Sequence, residues 1–146
     1  MKIYTIGFTQ KTGKEFFGLL SRHGIQRLVD IRINPQGQLS GFAKQDDLPY
    51  FLEELADHCK YIHYPLLAPT KDLLNAYHED KNWAKYCLHF ERLLDDRKIP
   101  EILNPLDFQT TVSCLLCSEA TPEKCHRRLV AERLAHFWPN TEIVHL

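Results

Sequence analysis

Five short runs rich in Ile, Val, Leu and Tyr recur along the chain, at 2–8, 27–33, 61–67, 111–117 and 142–145. They mostly lack polar alternation, the pattern of strands buried on both faces of a parallel sheet. Segments with helical spacing separate them. Thr12-Gly-Lys-Glu15 is a capping box ahead of Phe16, Phe17, Leu19 and Leu20, with Gly24 as the stop. Asp46 or Asp47 starts a second helix whose inner face is Leu48, Phe51, Leu52 and Leu55. Thr70 caps a short helix to about His78, and a longer one follows with Trp83, Tyr86, Cys87, Phe90 and Leu94 on one stripe. Thr121 and Pro122 read as the cap and first position of a last helix with Leu129, Val130, Leu134 and Phe137 facing in. The order strand, helix, strand, helix, strand, two helices, strand, helix, strand predicts a Rossmann-like three-layer α/β/α fold. Its sheet should be mainly parallel, with about five strands. The one long irregular stretch, 34–44, is of a length that usually serves function or mobility.

At 146 residues the chain makes a single domain, 1–146, able to bury roughly 68 to 70% of its unfolded surface without staples. Its 18 Lys and Arg against 19 Asp and Glu leave a net charge of -1. That balance argues against an extended coat for nucleic acid and leaves room for a local basic patch. No run approaches the roughly 20 apolar residues of a membrane span. The opening Met1 to Ile6 has no secretory layout, so a cytoplasmic protein with no membrane partner is expected. The five cysteines are an odd number, which in that setting argues against a disulfide framework. Cys59 and Cys87 lie among large apolar residues and read as small buried ones.

In open α/β sheets ligands bind beyond the carboxyl ends of the strands. Here those ends carry Thr9, the pair Asp30 and Arg32, and the segment from Cys117 to Arg127. Asp30 and Arg32 are two apart and point to the same side; they serve either as an intrastrand ion pair or as a functional pair. Thr9 sits in a strand-to-helix turn, where it makes a simple turn or helps to hold an anion. The segment Cys117-Ser-Glu119-Ala-Thr-Pro-Glu-Lys-Cys125-His126-Arg127 leads from a buried strand into a helix start. Such a place is electropositive, which lowers a thiol's pKa and favours anions.

These residues point to an enzyme, a thiol- or acid/base-dependent hydrolase or transferase. Cys117 or Cys125 would be the nucleophile, Glu119 and His126 the acid/base groups. Thr9, Asp30, Arg32 and Arg127 would bind a small anionic ligand such as a nucleotide or modified base. Three other readings stand beside it. The cysteines can be packing residues, with His126 on a carbonyl and Arg127 paired with Glu119 or Glu123. A non-catalytic module can bind nucleotide or nucleic acid through Arg32, Lys44, Lys71, Arg127 and Arg128. Zinc on Cys117, Cys125 and His126 would make a hydrolase or sensor. Cys114 and Cys117 have knuckle spacing but lie in a strand, where residues three apart face opposite sides. The preferred reading therefore takes no metal and no cofactor. Trp83, Tyr86 and Phe90 read as core packing rather than as a stacking platform.

Thr5-Ile-Gly7, Leu28-Val-Asp30-Ile-Arg32, Phe42, Tyr61 to His63, and above all the pattern Cys117-x-Glu119-x-x-Pro122-x-x-Cys125-His126-Arg127 resemble the domain-of-unknown-function family 488. The likeness runs over nearly the whole chain and implies a fold and a site, but no reaction. Where members commonly read Gly-His-Ser this chain has Gly7-Phe8-Thr9, so an imidazole is missing. Ala68-Pro69-Thr70-Lys71 replaces a common Gly-Gly, which implies a stiffer loop.

Overall fold

The computed structural model describes every residue of 1–146 except the side chain of Gln38. Its sheet is all parallel: β1 Lys2–Gly7, β2 Arg27–Asp30, β3 Lys60–His63, β4 Ser113–Cys117 and β5 Glu142–His145, in the order β3-β2-β4-β1-β5. The helices are α1 Gly13–Arg22, α2 Leu48–Leu55, α3 Lys71–Asp80, α4 Trp83–Asp96, α5 Pro105–Thr110 and α6 His126–Phe137. The expected three-layer α/β/α arrangement is thus present. The period-2 geometry of strands divides the core into two sheets of packing. Leu115 joins Ile3, Val29, Phe90 and Val130 on the face covered by α4 and α6. Its neighbours Cys114 and Leu116 join Ile6, Phe16, Leu28 and Leu52 on the face covered by α1 and α2.

Local chemistry sets most element ends. Thr12 caps α1 by accepting from the Glu15 amide, Thr70 caps α3 through Leu73, and Asn82 caps α4 through Lys85. Gly24 follows α1 with φ +62, the left-handed position that ends a helix. β2 stops at Asp30 rather than Ile33, because the Asp30 carboxylate takes the Arg32 amide at 3.1 Å and turns the chain. β3 stops at His63, and Pro65–Leu67 form a short 3-10 turn. Most of 34–44 is likewise ordered, as a kinked 3-10 stretch over Gln38–Ala43.

Four expectations need correction. Thr121 and Pro122 form a separate turn, closed by the Cys125 amide on the Pro122 carbonyl; Cys125 is extended and caps α6, which begins at His126, four residues beyond Pro122. An additional helix, α5, lies between α4 and β4; its Asn104-Pro105 start has the cap and N1 residues that favour a helix. Leu55 and Phe137 are about half exposed, at the last positions of α2 and α6, where the apolar stripe has rotated away from the sheet. The outer strands β3 and β5 are only partly buried, unlike the fully enclosed β4. No helix is long and apolar enough to cross a membrane.

Candidate functional site

A cavity of about 240 Å³ opens beyond the carboxyl ends of β2 and β4. Its floor is built by the two ends of one connection. Cys117 is the last residue of β4, and its odd register in the strand turns it toward α4 and α6, away from Cys114. Cys125 is the N-cap of α6 and His126 its first residue, so the short turn between them returns both to the strand end.

Hydrogen bonding settles how the imidazole is used. His126 Nε2 lies 2.7 Å from the Ile31 carbonyl oxygen, which can only accept, so this nitrogen carries the proton. The neutral ring then presents the Nδ1 lone pair to Cys117 Sγ at 3.5 Å. Phe90 packs edge-on against the ring, with centroids 5.8 Å apart. Burial keeps the His126 pKa below the ordinary histidine value, which favours this neutral form.

The two thiols differ. The Cys125 S–H donated to Cys117 lowers the Cys117 pKa, and the amides of Ser118 and Glu119 and the charge of Arg127 act the same way against the cost of burial. The same bond, together with burial, pushes the Cys125 thiol up. The opposite shifts make Cys117 the more readily ionised thiol of the two.

Arg32 forms part of the wall. Its Nε and Nη2 donate to the two Asp30 oxygens at 2.8 and 2.7 Å, and Nη2 also reaches the Ala43 carbonyl at 2.6 Å. Tyr61 donates its hydroxyl to the same carboxylate at 2.6 Å, and the guanidinium lies over the Phe8 ring at 5.2 Å. Among the described residues, Arg32 Nη1 is buried without a partner. His63 supports the same turn by donating Nε2 to the Arg32 carbonyl at 2.8 Å.

Of the anticipated site residues, Arg32, Cys117, Glu119, Cys125 and His126 line the cavity together. Asp30, Thr9 and Arg127 lie behind it. Asp30 is fully buried and orients Arg32. The Thr9 amide and hydroxyl both donate to the Ser118 carbonyl, which fastens the loop after Cys117. Arg127 is fully buried; Nη1 donates to the Glu119 carbonyl and Nη2 to that of Ala120 at 3.5 Å. Gly7 makes this possible, since a Cβ there would collide with the Glu119 carbonyl and lie 2.5 Å from Arg127 Nη1.

The sequence reading missed an aromatic wall. Trp83 is half-buried and lines the cavity with Tyr77 and Tyr86. Trp83 stacks on Tyr86 at 5.1 Å and 15°, and Tyr77 meets it edge-on at 5.6 Å. Helical spacing on α4 showed the stripe but not that its first turn leaves the core. Lys124 and Asn34, also on the wall, carry no comparable signal.

The family described as Domain of unknown function DUF488 matches the chain over residues 12–134. The chain belongs to that family. No curated protein and no solved structure matches it. Membership in DUF488 names no reaction, so the chemistry has to be argued from the cavity itself. In this DUF488 chain Phe8 occupies the position where an imidazole was expected from the resemblance, and its ring packs against Phe42 at 6.4 Å while underlying Arg32.

Proposed function

We propose that the cavity is the active site of a thiol-dependent enzyme, a hydrolase or transferase acting on a small anionic substrate with a planar ring, of the nucleotide or modified-base class. The observation that carries this reading is Cys117 Sγ against the bare Nδ1 of His126 on the floor of an open cavity. A thiol beside an imidazole of fixed tautomer is the arrangement of an activated sulfur nucleophile. Charge balance supports it. Arg127 is buried with carbonyl partners alone, and a buried guanidinium needs a nearby anion. Cys117, once ionised, supplies one.

In the proposed reaction Cys117 Sγ gives its electron pair to an electrophilic carbon of the substrate as the bond to the leaving group breaks. The leaving group departs with that bond's electrons and takes the Cys117 proton, carried to it by Nδ1 of His126. Water or a second substrate then breaks the sulfur–carbon bond, with Glu119 accepting its proton. Arg32, which lines the cavity, supplies the positive charge for an anionic group of the substrate. The Trp83 and Tyr77 rings offer planar contact for the substrate ring.

Alkylation of the reduced chain with iodoacetamide, followed residue by residue by mass spectrometry, tests the nucleophile. Cys117 should be labelled first, ahead of the more exposed Cys87. Labelling of Cys117 no faster than Cys87 removes the proposal.

A further inference from the structure

Cys117, Cys125 and His126 place their three donor atoms within 4.8 Å of one another, and no other such group of His, Cys, Asp and Glu occurs among the described residues. A tetrahedral zinc ion with Zn–S near 2.3 Å and Zn–N near 2.05 Å separates a sulfur from a nitrogen ligand by about 3.6 Å. Cys117 Sγ and His126 Nδ1 are 3.5 Å apart before any ion is considered. The lone pair that a metal requires is on Nδ1, because Nε2 is committed to the Ile31 carbonyl, the usual outer partner of a metal-bound imidazole. All three side chains are buried at 7% exposure or less, yet each lines the cavity, so one approach to the cluster is open.

We infer that these three residues form a site for a soft divalent cation of the zinc class, with its fourth position facing the cavity, and that occupancy switches off the Cys117 nucleophile. Only the second half rests on the reading of Cys117 as a nucleophile. Two thiolates and a neutral imidazole suit zinc among the common divalent ions. Two thiolates also cancel the charge of the ion, and the buried Arg127 cation then favours an anion as fourth ligand. Water as hydroxide, the Glu119 carboxylate and an anionic substrate all have that character. Binding would withdraw the sulfur lone pair from chemistry, and a chelator would restore it.

The test titrates the reduced, chelator-treated full chain with cobalt(II) alone, then with zinc. One equivalent of cobalt should bring up a thiolate-to-metal charge-transfer band that zinc abolishes. Cys125→Ser and Cys125→Ala should each weaken the band's titration by about a hundredfold or more, since loss of even an outer partner costs tenfold to a hundredfold. Cys87→Ser should titrate as the parent does. One equivalent of zinc should also cause loss of Cys117 alkylation. A parent chain without the band, or a band that survives both Cys125 substitutions, overturns the metal site. A band together with slow alkylation of the metal-free chain keeps the site and removes the nucleophile and its switch; fast alkylation without a band does the reverse.

Discussion

Arg32 and Asp30 form a two-pronged ion pair, 2.8 and 2.7 Å long, with the carboxylate fully buried and the guanidinium 4% exposed. Arg32 also lines the cavity. The pair holds the strand end, as the ion-pair reading of these residues expects. Breaking one side of a buried pair leaves an uncompensated charge and costs about 3–5 kcal/mol. Asp30→Ala should lose that much in urea unfolding. Tyr61→Phe removes only one hydrogen bond to the carboxylate and should cost about 2 kcal/mol. Equal losses from the two would mean that the ion pair contributes nothing of its own.

Gly7 matters for a different reason. Its strand end meets the Glu119 carbonyl and Arg127 so closely that any side chain must displace the loop carrying Ser118 and Glu119. Overpacking of this kind costs about 1–3 kcal/mol. Gly7→Ala should therefore lower stability by that amount and slow Cys117 alkylation, because the loop amides that favour the thiolate move with it. A variant that is less stable but alkylated at the parent rate would separate the loop from the thiol.

These two cases show what could be read before the fold was known. Caps at Thr12 and Thr70 are local events, complete within four residues, and the chain spells them out. The gathering of Cys117, Cys125 and His126 was legible too, because strand ends and helix starts share one edge of a parallel sheet. Arg127, expected to bind the ligand, lies behind the loop instead. Its depth depends on Gly7, 120 positions away, and no spacing rule carries that information. Trp83 was assigned to the core with Tyr86 and Phe90 for a related reason. Periodicity gives the azimuth of a residue on its helix but not how far along the helix the core extends.

The ring of Trp83 is consequently separable from the fold. Phe90 is fully buried, and its truncation to Ala should cost about 3–5 kcal/mol. Trp83 is half-buried, so Trp83→Ala should cost less than that while removing the cavity wall. Stacking of a base on an aromatic ring is worth about 1–3 kcal/mol. Titration of nucleoside monophosphates by calorimetry should show roughly a 5- to 150-fold weakening in Trp83→Ala, with ribose 5-phosphate unaffected by the substitution. Equal effects on both ligands would place the ring outside the recognition of the base.

Cys59 predicts a pH dependence from the opposite end of the molecule. Burial raises its thiol pKa to about 11 from an ordinary 9.0. The folded state thus holds the proton more tightly than the unfolded one, and the associated stability is complete below pH 9 and lost as pH rises from 9 to 11. Two units correspond to about 2–3 kcal/mol. Unfolding of the parent and of Cys59→Ala, measured from pH 8 to pH 10.5, should converge by most of that amount, about 2 kcal/mol, as the pH rises. Parallel curves would show that Cys59 is not titrating from a buried state.

A buried positive charge stands behind the loop that follows Cys117. Arg127 ties the Glu119 and Ala120 carbonyls, and its charge favours Cys117 ionisation. Its two effects can be parted by substitution. Arg127→Met removes the charge and the loop bonds together, whereas Arg127→Lys keeps a charge but loses the fork that reaches two carbonyls. If the charge is what activates sulfur, alkylation of Cys117 at neutral pH should slow by about tenfold in Arg127→Met, the rate equivalent of about 1.4 kcal/mol, and recover in Arg127→Lys. Both variants should lose stability, Met more than Lys, because Glu119 and Ala120 then lack their donor. Slowing of equal size in both would assign the effect to the loop alone, and the Cys117 thiolate would owe its charge balance to groups other than Arg127.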